Sequence, residues 1–164
     1  MKKVIIFGNS GSGKSTLAKE YADKFDLAHL DLDSLAWKQT SPPKRRNIQS
    51  SLKDVLTFTE KNDSWIIEGC YADLLSLVTI KASIMIFINP GVDICISNCK
   101  SRPWEPHKYP SQQAQDANLE MLIEWVKQYP VREDEFSLKA HSELFSQFEG
   151  EKIEYTSNHR IELF

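Results

Sequence analysis

Cysteine, glycine and positive charge are all in short supply in this chain of 164 residues, and each shortage removes a class of protein. The three cysteines, Cys70, Cys95 and Cys99, are odd in number and follow no metal-ligand spacing, which argues against a disulfide framework or a zinc module. They read as reduced, partly buried thiols of a cytoplasmic protein. Asp and Glu outnumber Lys and Arg by 23 to 20, a net charge of −3, so nucleic acid is not an expected partner. No apolar run approaches the roughly 18 residues that a membrane-crossing helix needs. Met1-Lys2-Lys3 leads straight into an apolar strand without a small-residue cleavage site, so no signal peptide is expected. Glycine is the most informative shortage: of six in the chain, Gly8, Gly11 and Gly13 fall together.

Those glycines sit in Val4-Ile5-Ile6-Phe7-Gly8-Asn9-Ser10-Gly11-Ser12-Gly13-Lys14-Ser15-Thr16, which matches G-x-x-x-x-G-K-S/T. An apolar run precedes the turn, and the helix formers Leu17 to Ala22 follow it. Glycine admits positive φ, so the backbone can curl and aim successive N–H groups into one concavity at the positive end of a helix. That is a phosphate cradle, and residues 8–16 are expected to grip ATP. Lys14 is expected on the β- and γ-phosphates, the Ser15 hydroxyl on Mg²⁺, and Thr16 near the α-phosphate.

After a helix over about Lys14 to Phe25, Leu27-Ala28-His29-Leu30-Asp31-Leu32-Asp33 reads as a strand ending in acids. Strand, helix, strand predicts a right-handed βαβ unit and a parallel sheet, whose ligands sit at the carboxyl ends of the strands. Ser41-Pro42-Pro43 is a loop. Lys44-Arg45-Arg46 then opens a predicted helix to about Lys61, where three cations oppose the helix dipole and invite an anion. Ser64 to Gly69 is a third strand ending at Glu68, and Cys70 to Leu77 a short helix. Ser83 to Ile88 suits a strand buried on both faces, and Val92 to Lys100 a short helix. Ser101 to Pro110 contains three prolines and reads as a mobile loop or a reduced lid. Helices are expected over Ser111 to Gln128 and Glu133 to Phe148, the second stopped by Gly150, before a last strand from Lys152 to Thr156. His141, on an apolar stripe, reads as a satisfied core histidine.

The P-loop, Leu30-Asp31-Leu32-Asp33, Trp65-Ile66-Ile67-Glu68-Gly69 and the run Ile84 to Asn89 together resemble adenylate-kinase-like small P-loop kinases, and most of all the bacterial topology-modulation and shikimate-kinase-like branch. The likeness covers roughly residues 1–100 well and the rest loosely. It implies an α/β, three-layer P-loop NTPase fold over residues 1–164, with a five-stranded parallel sheet in the order 2-3-1-4-5 flanked by helices. It also implies transfer of the ATP γ-phosphoryl group to a small acceptor, nucleotide- or shikimate-like. By matching position, Asp31 and Asp33 would serve Mg²⁺ and the acceptor hydroxyl, and Glu68 would hold Mg²⁺ through water. Arg45 or Arg46 would hold the acceptor, and Arg102 would clamp the phosphoryl group. One of Asn158, His159 and Arg160 would touch the adenine. The family's long basic lid is absent, and Glu68-Gly69-Cys70-Tyr71 replaces the triple glycine of true shikimate kinases.

Phosphoryl transfer asks for positioning and charge neutralisation more than for covalent help. On that logic Lys14, Asp33 and Arg102 are the expected catalytic set, with Asp33 as base; its competing use is to cap the helix at Ser34. Ser15, Asp31 and Glu68 are the expected metal shell. The alternative is a regulatory nucleotide-binding ATPase with no small-molecule acceptor, its partner surface supplied by the helices after residue 111.

Overall fold

The structure, a computed structural model, describes residues 1–159; Arg160 lies outside them. The first βαβ unit is β1 (Lys3–Gly8), α1 (Lys14–Phe25) and β2 (Ala28–Asp31). A single helical turn, α2 (Asp33–Ala36), leads into an antiparallel pair, β3 (Trp37–Lys38) and β4 (Lys44–Arg45). Then come α3 (Ile48–Lys61), β5 (Trp65–Gly69), α4 (Ala72–Ser76) and β6 (Ile84–Ile88). The chain continues through α5 (Val92–Ser101), α6 (Gln112–Lys127), α7 (Leu138–Gln147) and β7 (Glu151–Tyr155). The main sheet runs β2-β5-β1-β6-β7 with every pair parallel. Counting those five strands alone, the order is 2-3-1-4-5, as expected.

The central strands are continuous apolar runs because helices cover both faces. Strand side chains alternate, so neighbours in sequence serve opposite layers. Ile5, Phe7, Trp65, Ile67, Met85 and Phe87 face a core completed by Val55 of α3, Leu74 and Leu75 of α4 and Leu144 of α7. Val4, Ile6, Ile66, Ile84, Ile86 and Ile88 pack on Leu17, Ala18 and Tyr21 of α1. Each such side chain contributes roughly 1.5–3 kcal/mol of transfer free energy, set against the entropy of ordering it.

Three boundaries depart from the sequence reading. Lys44-Arg45-Arg46 does not open α3: Lys44 and Arg45 pair with Lys38 and Trp37, and Asn47 caps the helix by accepting from the amides of Gln49 and Ser50. The cap wins because it satisfies donors that cations at a helix start would only repel. Helix α7 begins at Leu138, not Glu133, because the Ser137 side chain accepts from the Ala140 amide. Gly150 is not its stop: the helix ends at Gln147 with Phe148 extended, and a Cβ on Gly150 would stand 2.5 Å from the Phe148 ring. The loop 102–110 has no regular element, yet it is tied to α6. Gln115 accepts from the Glu105 amide at 2.8 Å and donates to the Pro103 carbonyl at 3.0 Å.

Candidate functional site

A cleft of about 830 Å³ opens at the carboxyl end of the sheet, between the P-loop, the ends of β2 and β5, and the loop 102–110. The curl between β1 and α1 forms because Gly11 and Gly13 take φ of 76° and 94°. At Gly11 space also matters: a Cβ would meet the Cys95 carbonyl oxygen at 2.5 Å and the Cys99 sulfur at 2.6 Å. No side chain caps α1, whose N-cap is Gly13. Ser10, Gly11, Gly13, Lys14, Ser15 and Thr16 line the cleft, whereas Gly8, Asn9 and Ser12 are buried and do not. Lys14 Nζ donates to the Asn9 carbonyl at 2.8 Å, curling over its own loop. From α5, Asn98 donates to the Gly11 carbonyl at 2.8 Å and exchanges amide hydrogen bonds with Asn158 at 3.0 Å. Asn158 also lines the cleft.

Glu68, fully buried at the end of β5, is the pivot. Its Oε2 accepts from the Ser15 hydroxyl at 2.9 Å, and its Oε1 accepts from His29 Nε2–H at 3.1 Å. Asp31 is its register partner on β2. Asp31 Oδ1 accepts from the Asp33 amide at 2.9 Å, and its carbonyl from the Ser34 hydroxyl at 2.7 Å. Asp31, not Asp33, thus stabilises the turn into α2. Burial, with the carboxylates of Asp33 and Glu68 nearby, pushes the Asp31 carboxyl up to about 6. Asp33 Oδ1 accepts from the Tyr71 hydroxyl, which itself accepts from Trp37 Nε1–H at 2.7 Å. Asp33 Oδ2 lies 3.8 Å from Lys108 Nζ.

The donor set fits a hard cation. No cluster of three or more His, Cys, Asp or Glu side chains forms a metal cage among the described residues. Magnesium does not ask for one: it binds through one or two carboxylates and phosphate oxygens and keeps its waters. A serine hydroxyl already hydrogen-bonded to a buried carboxylate, beside a phosphate cradle, matches that demand.

The arginines are placed otherwise than expected. Arg45 reaches Glu135 at 2.8 Å and Asp73 at 3.2 Å, with its guanidinium 4.8 Å from the Tyr71 ring centre. Arg46 binds Asp54 at 2.8 Å and the Leu35 carbonyl at 3.0 Å. Neither lines the cleft: Arg45 pairs with carboxylates of α4 and of the segment before α7, and Arg46 with one of α3. Arg102 does line the cleft, with Nη1 3.1 Å from Glu105 Oε2.

Two residues absent from the expected site join it. His29 holds Glu68, and its signal was its parity with Asp31 on one strand face. Lys108, which the sequence places with Arg102 among the few cations near the lid position, lies between Asp33 and Glu105. Cys70 lines the cleft, but burial pushes its thiol up to about 12, which keeps it protonated near pH 7. His141 is the satisfied core histidine expected: Nε2–H donates to the Cys70 carbonyl at 2.8 Å, and Nδ1 accepts from the Tyr129 hydroxyl at 2.6 Å. Burial lowers its pKa to about 4, so it is neutral near pH 7.

No protein-family model matches the chain, and no curated protein does. Solved structures do match. Shikimate kinase from Aquifex aeolicus vf5 is 14% identical, with 98% of this chain and 89% of that one covered and a TM-score of 0.51. A sugar kinase from Janibacter sp. HTCC2649, in an unliganded structure, is 13% identical, with 94% and 84% covered and a TM-score of 0.51. At such identity the likeness is one of architecture, and it agrees with the strand order and the P-loop: the chain has the fold of the small P-loop kinases.

Proposed function

We propose that this protein is a Mg²⁺-dependent kinase that transfers the γ-phosphoryl group of ATP to a hydroxyl of a small acceptor. The observation that carries the reading is one cleft in which the Ser15–Glu68 pair and Lys14 stand beside the phosphate cradle while Asp33 opens into the same space. The triphosphate would lie on the amides of residues 10–16, with Lys14 leaving the Asn9 carbonyl for the β- and γ-phosphates. Ser15 would hold Mg²⁺ directly, with Glu68 and Asp31 behind its waters; the ion neutralises charge on the leaving diphosphate. Asp33 Oδ2 would accept the acceptor's proton as its oxygen attacks phosphorus and the bond to ADP breaks. Tyr71 fixes that carboxylate through Oδ1, which leaves Oδ2, 3.8 Å from Lys108 Nζ, as the oxygen to meet the acceptor. The phosphoryl clamp falls to Lys108 as well as Arg102, whose guanidinium must first leave Glu105.

We read residues 1–164 as a single domain with the loop 101–110 as a reduced lid, in the topology-modulation and shikimate-kinase-like branch. No helix among the described residues is long and apolar enough to cross a membrane, and a cytoplasmic enzyme is the reading consistent with three free thiols. The test is ADP release over an acceptor panel. Acceptor-stimulated release is expected, with nucleotide affinity abolished in Lys14→Ala. Asp33→Asn should lower turnover by about 10²-fold or more while MgATP affinity holds. Full turnover in Asp33→Asn would defeat the base assignment, and MgATP binding unchanged in Lys14→Ala would defeat the reading as a whole.

A further inference from the structure

If the cleft is a kinase site, its acceptor end has a charge preference that can be read from who holds whom. Anionic metabolites are normally held by guanidinium forks, which match carboxylate and phosphate in pairs of hydrogen bonds. Among the described residues every arginine already has an acidic partner. Arg45 has Asp73 and Glu135, Arg46 has Asp54, Arg102 has Glu105, and Arg132 has Asp134 at 2.6 Å. Arg45, Arg46 and Arg132 do not line the cleft at all.

The cations that do line it divide by position. Lys14 and Lys19 belong to α1, at the phosphate end. Beside Asp33 there are Arg102 and Lys108, each already held by carboxylates: Arg102 by Glu105, and Lys108 between Asp33 and Glu105. An anionic acceptor would meet no unpaired guanidinium or ammonium there among the described residues. A cationic one fares no better. The Lys108 ammonium sits 3.8 Å from Asp33 and 3.9 Å from Glu105, so the place for a positive charge is taken. Besides these ion pairs the lining offers carboxylate oxygens that accept hydrogen bonds, the side chains of His107 and Tyr109, and the face of Trp104, which is 42% exposed. Hydroxyl groups donate to carboxylates without carrying charge, and apolar ring faces stack on indole.

We infer that the acceptor is an uncharged polyhydroxyl molecule, a sugar or a nucleoside, and not a phosphate ester, a carboxylic acid or an amine. The inference rests on the kinase reading for the location of the acceptor, but its test does not depend on turnover. The full chain, saturated with a non-hydrolysable ATP analogue and Mg²⁺, is screened by ligand-observed NMR. The probes are free hexoses, sugar alcohols and nucleosides, beside their phosphate monoesters, the matching sugar acids and amino sugars. At least one uncharged probe is expected to bind about tenfold or more tightly than its charged counterparts, and Asp33→Asn should weaken it by about tenfold. A phosphate ester, sugar acid or amino sugar that outbinds its uncharged parent would overturn the inference, as would no binding by any uncharged probe. ADP release, followed on the same panel with ATP, keeps the two proposals apart. Uncharged binding without transfer would remove the kinase reading alone, whereas transfer to an anion would remove the acceptor class alone.

Discussion

Glu68 has two carboxylate oxygens, and each is spoken for: Ser15 donates to one and His29 to the other. With Mg²⁺ held by Ser15 as proposed, the aim of the Glu68 carboxylate would rest largely on His29. Outer-shell partners of this kind typically change metal affinity by about 10–100-fold when removed. His29→Leu is therefore expected to weaken Mg²⁺-dependent ADP binding by about tenfold or more, while metal-free ADP binding changes little. His29→Gln, which restores an N–H near the same place, should recover most of the loss. Calorimetric titrations at several Mg²⁺ concentrations check both; equal affinity in all three proteins would show that His29 only fills space. The P-loop was legible because it is contiguous and each residue type has a backbone or ligand reason. His29 was not, because its role exists only once β2 lies beside β5.

The His141 imidazole ties α7 to the carbonyl of Cys70, just after β5, and gives that contact a pH dependence. Burial holds the His141 pKa at about 4, below the 6.5 of an exposed histidine. The unfolded chain therefore takes the proton first, and stability falls as pH drops from about 6.5 to about 4, by up to ~3 kcal/mol. Asp31 acts with the opposite sign. Its raised pKa lets the folded chain bind the proton first, so stability is gained as pH falls from about 6 towards the ordinary carboxylate range. His141→Gln isolates the first effect. Its Tm should drop less than that of the native sequence between about pH 7 and pH 4.5; parallel Tm curves would refute the assignment. Helix α3 offers a simpler test: Asn47→Ala removes the side chain that accepts from Gln49 and Ser50 and should cost about 1 kcal/mol in urea unfolding. The cap was present in the sequence, but three adjacent cations drew attention to the wrong position.

Arg45 shows what the whole molecule decides. Its partners lie 28 and 90 residues away in sequence, on α4 and on the segment before α7, and its guanidinium stacks among Trp37, Tyr71 and Phe136. It joins the β3–β4 pair to both regions. No local pattern encodes a partner at such separation, which is why the ion pairs of Arg45 were not legible in the sequence; the strand order came with the family resemblance. Layers follow from apolar periodicity and the βαβ rule; ion pairing follows from the finished packing. Arg45→Ala leaves two carboxylates uncompensated and is expected to destabilise the chain by about 2 kcal/mol, the side chain being partly exposed. MgADP affinity should stay within about twofold, because Arg45 does not line the cleft. A collapse of nucleotide binding with stability intact would return Arg45 to the site.

The 102–110 loop also carries its own optical label. Of the four tryptophans, Trp104 alone lines the cleft, its indole N–H donating to the Tyr109 carbonyl at 3.0 Å. Substituting Trp37 and Trp125 by phenylalanine would leave only the fully buried Trp65 as a constant background. If the loop closes over bound nucleotide as proposed, emission from the remaining pair is expected to shift to the blue, and its time course would give the rate of closure without any attached dye.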